Sequence, residues 1–385
     1  MHAMTDAAEL DQVRTTARRF FAEEVEPHYA GWEKRGYAER EMWRKAGALG
    51  LLCPQMSQEN GGLGGSFLYS QVIIEEMARS GCELPGIYTH SDIIVPYIER
   101  LGTPAQKARW LPGCVSGDVI TCIGISEPNA GSDMRGLRTK AVRDGEDWLI
   151  SGQKIFITNG WLADLALIVA NTGEKTKSIF LVETDRPGFR RGRLLEKVGQ
   201  KAQDTAELFL DEVRVPADAL LGEEGKGMGH LMQELPQERL IIAVSALAAT
   251  RTVFAQTLDY VRQRRAFGQA IGDFQVTRFT LAELKTEIEV GAAFVEKCVA
   301  AVMRGHARYG GSLDGQALAD RTAGARRRPL RAAVRRLWVY VGISGRARVR
   351  QCARAADLWR QQRHHEGDHR ARYRGVVRRE IALIR

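Results

Sequence analysis

The strongest chemical pattern in this 385-residue sequence is a carboxylate set against apolar surface. Glu238 lies in Glu234-Leu235-Pro236-Gln237-Glu238-Arg239-Leu240, just before the apolar residues Leu240, Ile241, Ile242 and Val244. A carboxyl group packed against apolar side chains resists ionisation, so its pKa rises toward that of a general base. Pro236 either opens a helix here at its first turn or kinks one that began earlier, freeing a backbone carbonyl. In the first case Glu238 is also readable as a solvated first-turn glutamate favoured by the helix dipole. Both readings stand on this segment alone.

Three other stretches carry candidate chemistry. Ser126-Glu127-Pro128-Asn129-Ala130-Gly131-Ser132-Asp133 follows a predicted strand. Its small residues would let a ligand approach the backbone, and its two hydroxyls could bond polar ring edges. The same composition also describes an ordinary turn. In Gly152-Gln153-Lys154-Ile155-Phe156-Ile157-Thr158-Asn159-Gly160, strand alternation puts Phe156 and Thr158 on one face. An aromatic plane beside a hydroxyl suits a flat polar ring, although plain sheet faces carry such pairs too. In Arg262-Gln263-Arg264-Arg265-Ala266-Phe267-Gly268, followed by Phe274-Gln275, Arg264 offers a fixed fork of donors for a phosphate. A charged helix end has the same composition.

The elements that must position these residues fall into three blocks. Residues 7–29 read as an amphipathic helix, with Leu10, Val13, Ala17, Phe20 and Phe21 on one face. Helical patterns follow at 39–51, 67–79, 86–101 and 104–116, with the loop Gly61-Gly62-Leu63-Gly64-Gly65 between them. From about residue 118 the chain changes to short β-rich runs: 119–125, 148–151, 154–157, 165–170, 178–183 and 207–213. Gly, Asn, Asp and Pro separate them, as in an antiparallel sheet or barrel. Helical patterns return from Gly225 to about Gln263 and over 273–308. Helices, then strands, then helices predict an α+β multidomain chain. The expected domains are an all-helical 1–117, a middle antiparallel β-barrel domain at 118–218 and a C-terminal helical bundle at 219–385, disrupted after about residue 314.

Composition bounds the function. The apolar fraction of 44% is that of a globular protein, and no apolar run approaches the ~20 residues of a membrane span. The N-terminal residues have neither the pattern of a secretory leader nor that of a transit peptide. Cys53, Cys82, Cys114, Cys122, Cys298 and Cys352 form no CxxC pair, so no metal site or disulfide framework is expected. These features predict a cytoplasmic protein. The net charge of +9 is misleading. Residues 315–385 hold nineteen Arg, no Lys and five acids, whereas the rest of the chain is acidic on balance. No nucleic-acid recognition motif accompanies the basic tail.

Taken together and in order, the motifs resemble one family. Glu127-Pro128 with Gly131-Ser132-Asp133, residues 155–160, Gln203-Asp204-Thr205-Ala206-Glu207-Leu208, Leu221-Gly222-Glu223-Glu224-Gly225-Lys226-Gly227 and residues 262–268 are similar to acyl-CoA dehydrogenases. Leu231-Met232-Gln233-Glu234-Leu235-Pro236-Gln237-Glu238-Arg239 resembles the hallmark of the long-chain branch. The resemblance spans roughly residues 8 to 314. It implies a helical, a β and a helical domain, bound FAD, an acyl-CoA substrate, electron-transferring flavoprotein as the acceptor and a homo-oligomer, tetramer or dimer. It implies that Glu238 is the catalytic base. It implies that Ile123, Ile125, Ser126, Gly131, Ser132, Phe156, Ile157 and Thr158 hold the flavin, with Ser126 and Thr158 at its polar edge. Arg264 and Gln275 match contacts to a neighbouring subunit's FAD. Ser132, Pro236, Gln237 and Arg239 match the substrate side. Gly229 departs from the long-chain branch, which often carries an aromatic there.

After Asp314 the resemblance stops. The family's flavin-contacting Q-L-H-G-G-like turn and its terminal I-Y-G-G-T-N-E-I-M-K-like motif are missing. Yet Asp357-Leu358-Trp359-Arg360-Gln361-Gln362 can be encoded so that a one-base shift reads Ile-Tyr-Gly-Gly-Ser-Asn. The same shift turns residues 364–369 into Ile-Met-Lys-Glu-Ile-Ile and residues 339–344 into Cys-Met-Trp-Glu-Tyr-Pro. A frameshifting lesion shortly after Asp314 accounts for these matches and for the excess of Arg over Lys. Residues 315–385 are accordingly expected to pack poorly, and a scaffold that has lost FAD is the alternative to an active enzyme.

Overall fold

The computed structural model describes residues 7–131 and 133–304. The expectations placed on Ser132 and on the tail beyond residue 304 lie outside the described residues.

The N-terminal block is helical: α1 (Ala7–Phe20), α2 (Glu26–Arg35), α3 (Arg40–Ala48), α4 (Phe67–Ser80), α5 (Gly86–Tyr88), α6 (Val95–Leu101) and α7 (Pro104–Ser116). The first predicted helix continues through a π-helical turn, Phe21–Val25, into α2, and ends at Gly36, whose φ of 93° only glycine adopts cheaply. A second π-helical turn, Thr89–Ile94, joins α5 to α6. Thr103 caps α7 and Gln106 bonds back to it, so a complete capping box sets that helix start. Phe20, Phe21, Trp32, Trp43 and Tyr97 are buried in one core with residues of the later blocks.

The middle block holds β1 (Thr121–Gly124), β2 (Lys140–Asp144), β3 (Asp147–Thr158), β4 (Leu165–Asn171), β5 (Lys177–Glu183), β6 (Phe189–Leu194), β7 (Thr205–Val215) and β8 (Leu220–Leu221). They form one eight-stranded sheet in the order β6-β7-β3-β2-β4-β5-β8, with β1 paired to β4. Two features differ from the antiparallel barrel expected. The strand path is open, and no closed barrel is found among the described residues. The pairs β1–β4 and β2–β4 are parallel, because β1 and β4 are joined through other strands rather than by a hairpin. β2 and β6 escaped the sequence pattern because Lys140, Arg143, Arg190, Arg191 and Arg193 dilute their apolar alternation. β4 is buried on both faces: Leu165, Leu167 and Val169 meet the helical core, and Ala166, Ile168 and Ala170 meet a second core. Its continuous apolar run follows from that double burial.

The C-terminal block begins with α8 (Gly227–Gln263), 37 residues long. A two-stranded hairpin, β9 (Arg265–Ala266) with β10 (Gln269–Ala270), follows, and then α9 (Gln275–Met303). The buried residues of α9 are Leu281, Leu284, Ile288, Ala292, Val295 and Val299. They recur every three or four positions, which places one stripe of α9 along α8. α8 is long and apolar enough to cross a bilayer by length and composition; Leu231, Leu240, Ile241 and Val244 pack one side of it into the core, and 22% of its apolar window is buried. The five cysteines in the described residues are free.

One electrostatic clamp fastens α1 to α4. The Glu76 side chain is 2% exposed and pairs with Arg14, Arg18 and Arg79. Burial alone would raise its pKa, but hydrogen bonds from Arg18, Arg79 and Arg14 outweigh burial and hold it at about 2. A depressed carboxyl stabilises the fold fully above the unfolded pKa, and that contribution is lost as pH falls through the folded value. Glu76→Gln is expected to cost on the order of 2 kcal/mol at neutral pH. The difference from wild type should shrink between about pH 4.5 and 2, and denaturant melts at several pH values would show it. A difference independent of pH would rule the clamp out.

Candidate active site

Glu238 is the twelfth residue of α8, which starts at Gly227. It therefore lies well inside the helix, and the solvated first-turn reading does not apply. Pro236 falls within the helix, so of the two roles open to it the structure shows the interior one. The Glu238 carboxyl is pushed up to about 7. Burial is the main cause, and the nearby Glu234 charge adds to it. A hydrogen bond from Tyr97 and the charge of Arg239 act the other way.

Three contacts tie this stretch of α8 to the N-terminal helices. The Tyr97 hydroxyl donates to Glu238 Oε1 at 2.8 Å. Arg100 pairs with Glu234 Oε2 at 2.8 Å. Gln237 Nε2 donates to the Asp92 carbonyl at 3.1 Å. The Asp92 carbonyl lies in the π-helical turn just ahead of Pro96. The Asp92 carboxyl is itself pushed up to about 6 by burial, against hydrogen bonds from Ser70 and Gln55.

The second group gathers where β1 and β3 end. Ile123 lies in β1, and Ile125 and Ser126 continue it. Ile155 N–H donates to the Ser126 carbonyl at 3.0 Å, which docks this loop on β3. Between Lys154 and Ile157 the register of β3 against β7 shifts. The bulge leaves Phe156 at φ 62°, with its ring 58% exposed. A bulge of this kind re-aims a side chain. Thr158 is half-buried beside it, whereas Ile157 is buried in the second core, so only its backbone faces the loop. Glu127 and Ala130 exchange backbone hydrogen bonds, so a tight turn does close this loop. Beyond it, a Cβ placed on Gly131 would meet nothing within 4 Å.

Beneath the loop lies a buried ion pair. Lys154 Nζ, 0% exposed, reaches Glu127 Oε1 at 2.8 Å, the Val169 carbonyl at 2.8 Å and the Ile125 carbonyl at 3.2 Å. Glu127 also accepts from the backbone of Arg138 and Thr139. Burial lowers the Lys154 pKa to about 8 even with Glu127 beside it. A second buried network ties the end of β3 to α5. Gln203 donates to Asn159 Oδ1 at 2.8 Å and accepts from Gly86 N–H at 2.7 Å, and Asn159 donates to the Gly86 carbonyl.

Arg264 and Gln275 do not join these groups. Arg264 ends α8, 26 residues after Glu238, or about 39 Å along the helix. The nearby hairpin exposes Phe267 at 95%. Sequence reasoning missed Tyr97, Arg100 and Lys154. Tyr97 and Arg100 lie in what reads as an ordinary amphipathic helix, and Lys154 in a strand where a lysine is normally solvated. No local pattern marks any of them.

Family models match along the chain. "Acyl-CoA dehydrogenase, N-terminal domain" matches residues 7–118, the middle domain 122–213 and the C-terminal domain 225–319. The chain is 50% identical over 299 residues to a long-chain specific acyl-CoA dehydrogenase, mitochondrial, of Mus musculus, covering 76% of this chain and 70% of the relative. It is 33% identical over 304 residues to an isovaleryl-CoA dehydrogenase, mitochondrial, of Pongo abelii, covering 77% and 72%. An acyl-CoA dehydrogenase crystal structure from Geobacillus kaustophilus superposes with a TM-score of 0.86 at 39% identity, covering 95% of this chain and 100% of that one. A glutaryl-CoA dehydrogenase from Mycobacterium smegmatis in complex with FADH2 gives 0.79 at 28% identity, covering 92% and 90%.

Removing one partner of the buried Lys154–Glu127 pair leaves an uncompensated charge. Lys154→Met is expected to destabilise the protein by about 3–5 kcal/mol. Adding Glu127→Gln should recover part of that loss. Equilibrium denaturation of both variants measures it, and a Lys154→Met variant as stable as wild type would contradict the assigned role.

Proposed function

The chain belongs to the acyl-CoA dehydrogenase family, and on that premise we propose that Glu238 is the base that takes the α-proton of the thioester. The activity is FAD-dependent α,β-dehydrogenation of an acyl-CoA to its trans-2-enoyl-CoA. The observation that supports Glu238 is its setting: half-buried, one carboxylate oxygen engaged by Tyr97, and a pKa raised to about 7. A base poised near neutral pH is ionised in a substantial fraction of molecules and holds a proton well once it has taken it.

The residues at the ends of β1 and β3 fit a flavin. The Phe156 ring is exposed on a bulge, Ser126 and Thr158 offer polar groups beside it, and the space by Gly131 is open. Ile123, Ile125 and the backbone of Ile157 complete the wall. Bound FAD supplies the hydride acceptor that no side chain can provide. Arg264 lies about 39 Å along α8 from Glu238, and Gln275 follows it across the hairpin. Their position suits the pyrophosphate of a neighbouring subunit's FAD in a homo-oligomer. Exposed Phe267, Val276, Phe279 and Val290 supply an apolar surface for such an association. Gln237 has committed one amide N–H to Asp92, which leaves its oxygen and its second N–H for a substrate.

The substrate we favour is a long-chain or branched acyl-CoA, on the similarity to the long-chain relatives. A Cβ on Gly229 would meet nothing within 4 Å, so there is room where that branch often carries an aromatic. Electrons would pass to an electron-transferring flavoprotein. A second reading is favoured by where the similarity ends. The C-terminal family model stops at residue 319, and the flavin-contacting motifs expected after it are missing. On that reading the chain is a scaffold that binds FAD poorly, and purified protein without flavin absorbance would support it.

Glu238→Gln preserves shape and removes proton acceptance. Reduction of bound flavin by acyl-CoA should fall by about 10²-fold or more while FAD stays bound. The measurement is anaerobic stopped-flow, in a frame-restored chain if the present one retains no FAD. Near wild-type reduction would remove Glu238 from the mechanism. Arg264→Lys should weaken FAD retention, since one ammonium does not reproduce the guanidinium fork. An unchanged FAD affinity, measured by fluorescence titration, would return Arg264 to a solvated helix end.

A further inference from the structure

We propose that Tyr97 is a positioning residue for the base: its hydroxyl fixes Oε1 of Glu238, leaves Oε2 to take the proton, and keeps the half-buried carboxylate ionised. The inference rests on the assignment of Glu238 as the base.

Geometry carries it. Tyr97 is 0% exposed, and its hydroxyl meets Glu238 Oε1 at 2.8 Å. A neutral phenol is a donor to a carboxylate, and burial together with the Glu238 charge raises the Tyr97 pKa further, so the phenol keeps its proton. With Oε1 engaged, the carboxylate has one oxygen free. The hydrogen bond also limits rotation of the long glutamate side chain, which a solvated glutamate would not feel.

The backbone frame enforces this contact. Tyr97 and Arg100 stand three residues apart on α6, and Glu238 and Glu234 four apart on α8. Both spacings place the two side chains on one helix face. Two contacts, Tyr97 with Glu238 and Arg100 with Glu234, therefore run in antiparallel register. Gln237 on the Asp92 carbonyl adds a third point. Three attachments of different chemistry along one stretch of α8 hold its rotation against α6.

Among the described residues, four charged or titratable groups act on Glu238 or on its neighbour Glu234, and Asp92 stands close by. From α8, Glu234 opposes ionisation of Glu238 and Arg239 favours it. From α6, Arg100 balances Glu234 and Tyr97 bonds Glu238 directly. From the π-helical turn, Asp92 is present through its carbonyl, while its carboxyl is engaged with Ser70 and Gln55. Tyr97 is thus the neutral group whose removal acts on the base without changing the count of nearby charges.

The test is a titration that does not require turnover. Full-length protein labelled with carbon-13 at the glutamate carboxyl gives a set of titrating NMR signals, and the one missing in Glu238→Gln belongs to Glu238. Tyr97→Phe should move that signal's midpoint upward by about one pH unit, because a donor to the ionised form has been removed. The acidic limb of the pH profile for flavin reduction should move with it, and the rate should recover at alkaline pH. Site-specific 3-fluorotyrosine at position 97 keeps the shape and makes the hydroxyl a stronger donor. It should move the midpoint downward, and it decides the question alone if Tyr97→Phe fails to fold. A midpoint unmoved by the fluorinated residue, or by Tyr97→Phe in a folded protein, overturns the role of Tyr97. Undiminished flavin reduction in Glu238→Gln would instead overturn the assignment of the base, so the two failures are distinct.

Discussion

The middle of this protein depends on a charge that has no access to water. Lys154 sits at 0% exposure with its ammonium shared among Glu127, the Ile125 carbonyl and the Val169 carbonyl. Those acceptors come from two chain segments, the loop after β1 and strand β4, and the lysine itself stands on β3. The ammonium therefore joins the loop after β1 to β3 and β4 at one point. A buried ion pair does little for stability in itself, since desolvation consumes most of the Coulomb attraction. What it supplies here is specificity of placement. The loop carrying Ile125 and Ser126 can only sit where its carbonyl and carboxylate meet the lysine. The bulge that exposes Phe156 begins immediately after Lys154. A buried lysine and an exposed phenylalanine two residues apart invert the usual preference of both residue types, and the bulge is what makes that inversion possible.

The other half of the site depends on how two helices register. α8 carries two carboxylates one turn apart, Glu234 and Glu238, and both are raised by burial. Left alone, neighbouring carboxylates in apolar surroundings would tend to protonate. α6 meets them with two different groups. Arg100 neutralises Glu234 with a full charge, while Tyr97 gives Glu238 only a hydrogen bond. The first carboxylate is thereby held in an ion pair, and the second keeps one oxygen outside the Tyr97 contact. Pro236 lies inside α8 two residues before Glu238, and Gln237 beside it reaches the Asp92 carbonyl.

Much of the architecture was legible in the sequence, because it follows from periodicity. The change from helical to strand patterning near residue 118, and back near Gly225, corresponds to real blocks, since burial of a stripe or a face imposes those periods. The patterning also marked most helices and the apolar strands, including the continuous run of β4. It did not mark β2 and β6, whose charged residues erase the alternation, and it could not distinguish an open mixed sheet from a barrel. Strand pairing is a relation between distant segments, and a single strand looks the same in either arrangement.

The site divides along the same line. Local runs offered Glu238, Phe156, Thr158 and Ser126 as candidates beside ordinary structural readings, and only the order of the motifs together, through the resemblance to a family, favoured the chemical reading. Two roles remained open for Glu238, since both depend on where the helix begins. Tertiary structure removed the first-turn reading by starting α8 at Gly227, well ahead of Pro236. It also supplied what no local run contains: Tyr97 lies 141 residues from Glu238 and Lys154 lies 27 residues from Glu127. The sequence determined which groups could react. Only the folded chain decided which of them are desolvated and what donor each one meets, because desolvation and hydrogen bonding are set by neighbours in space and not along the chain.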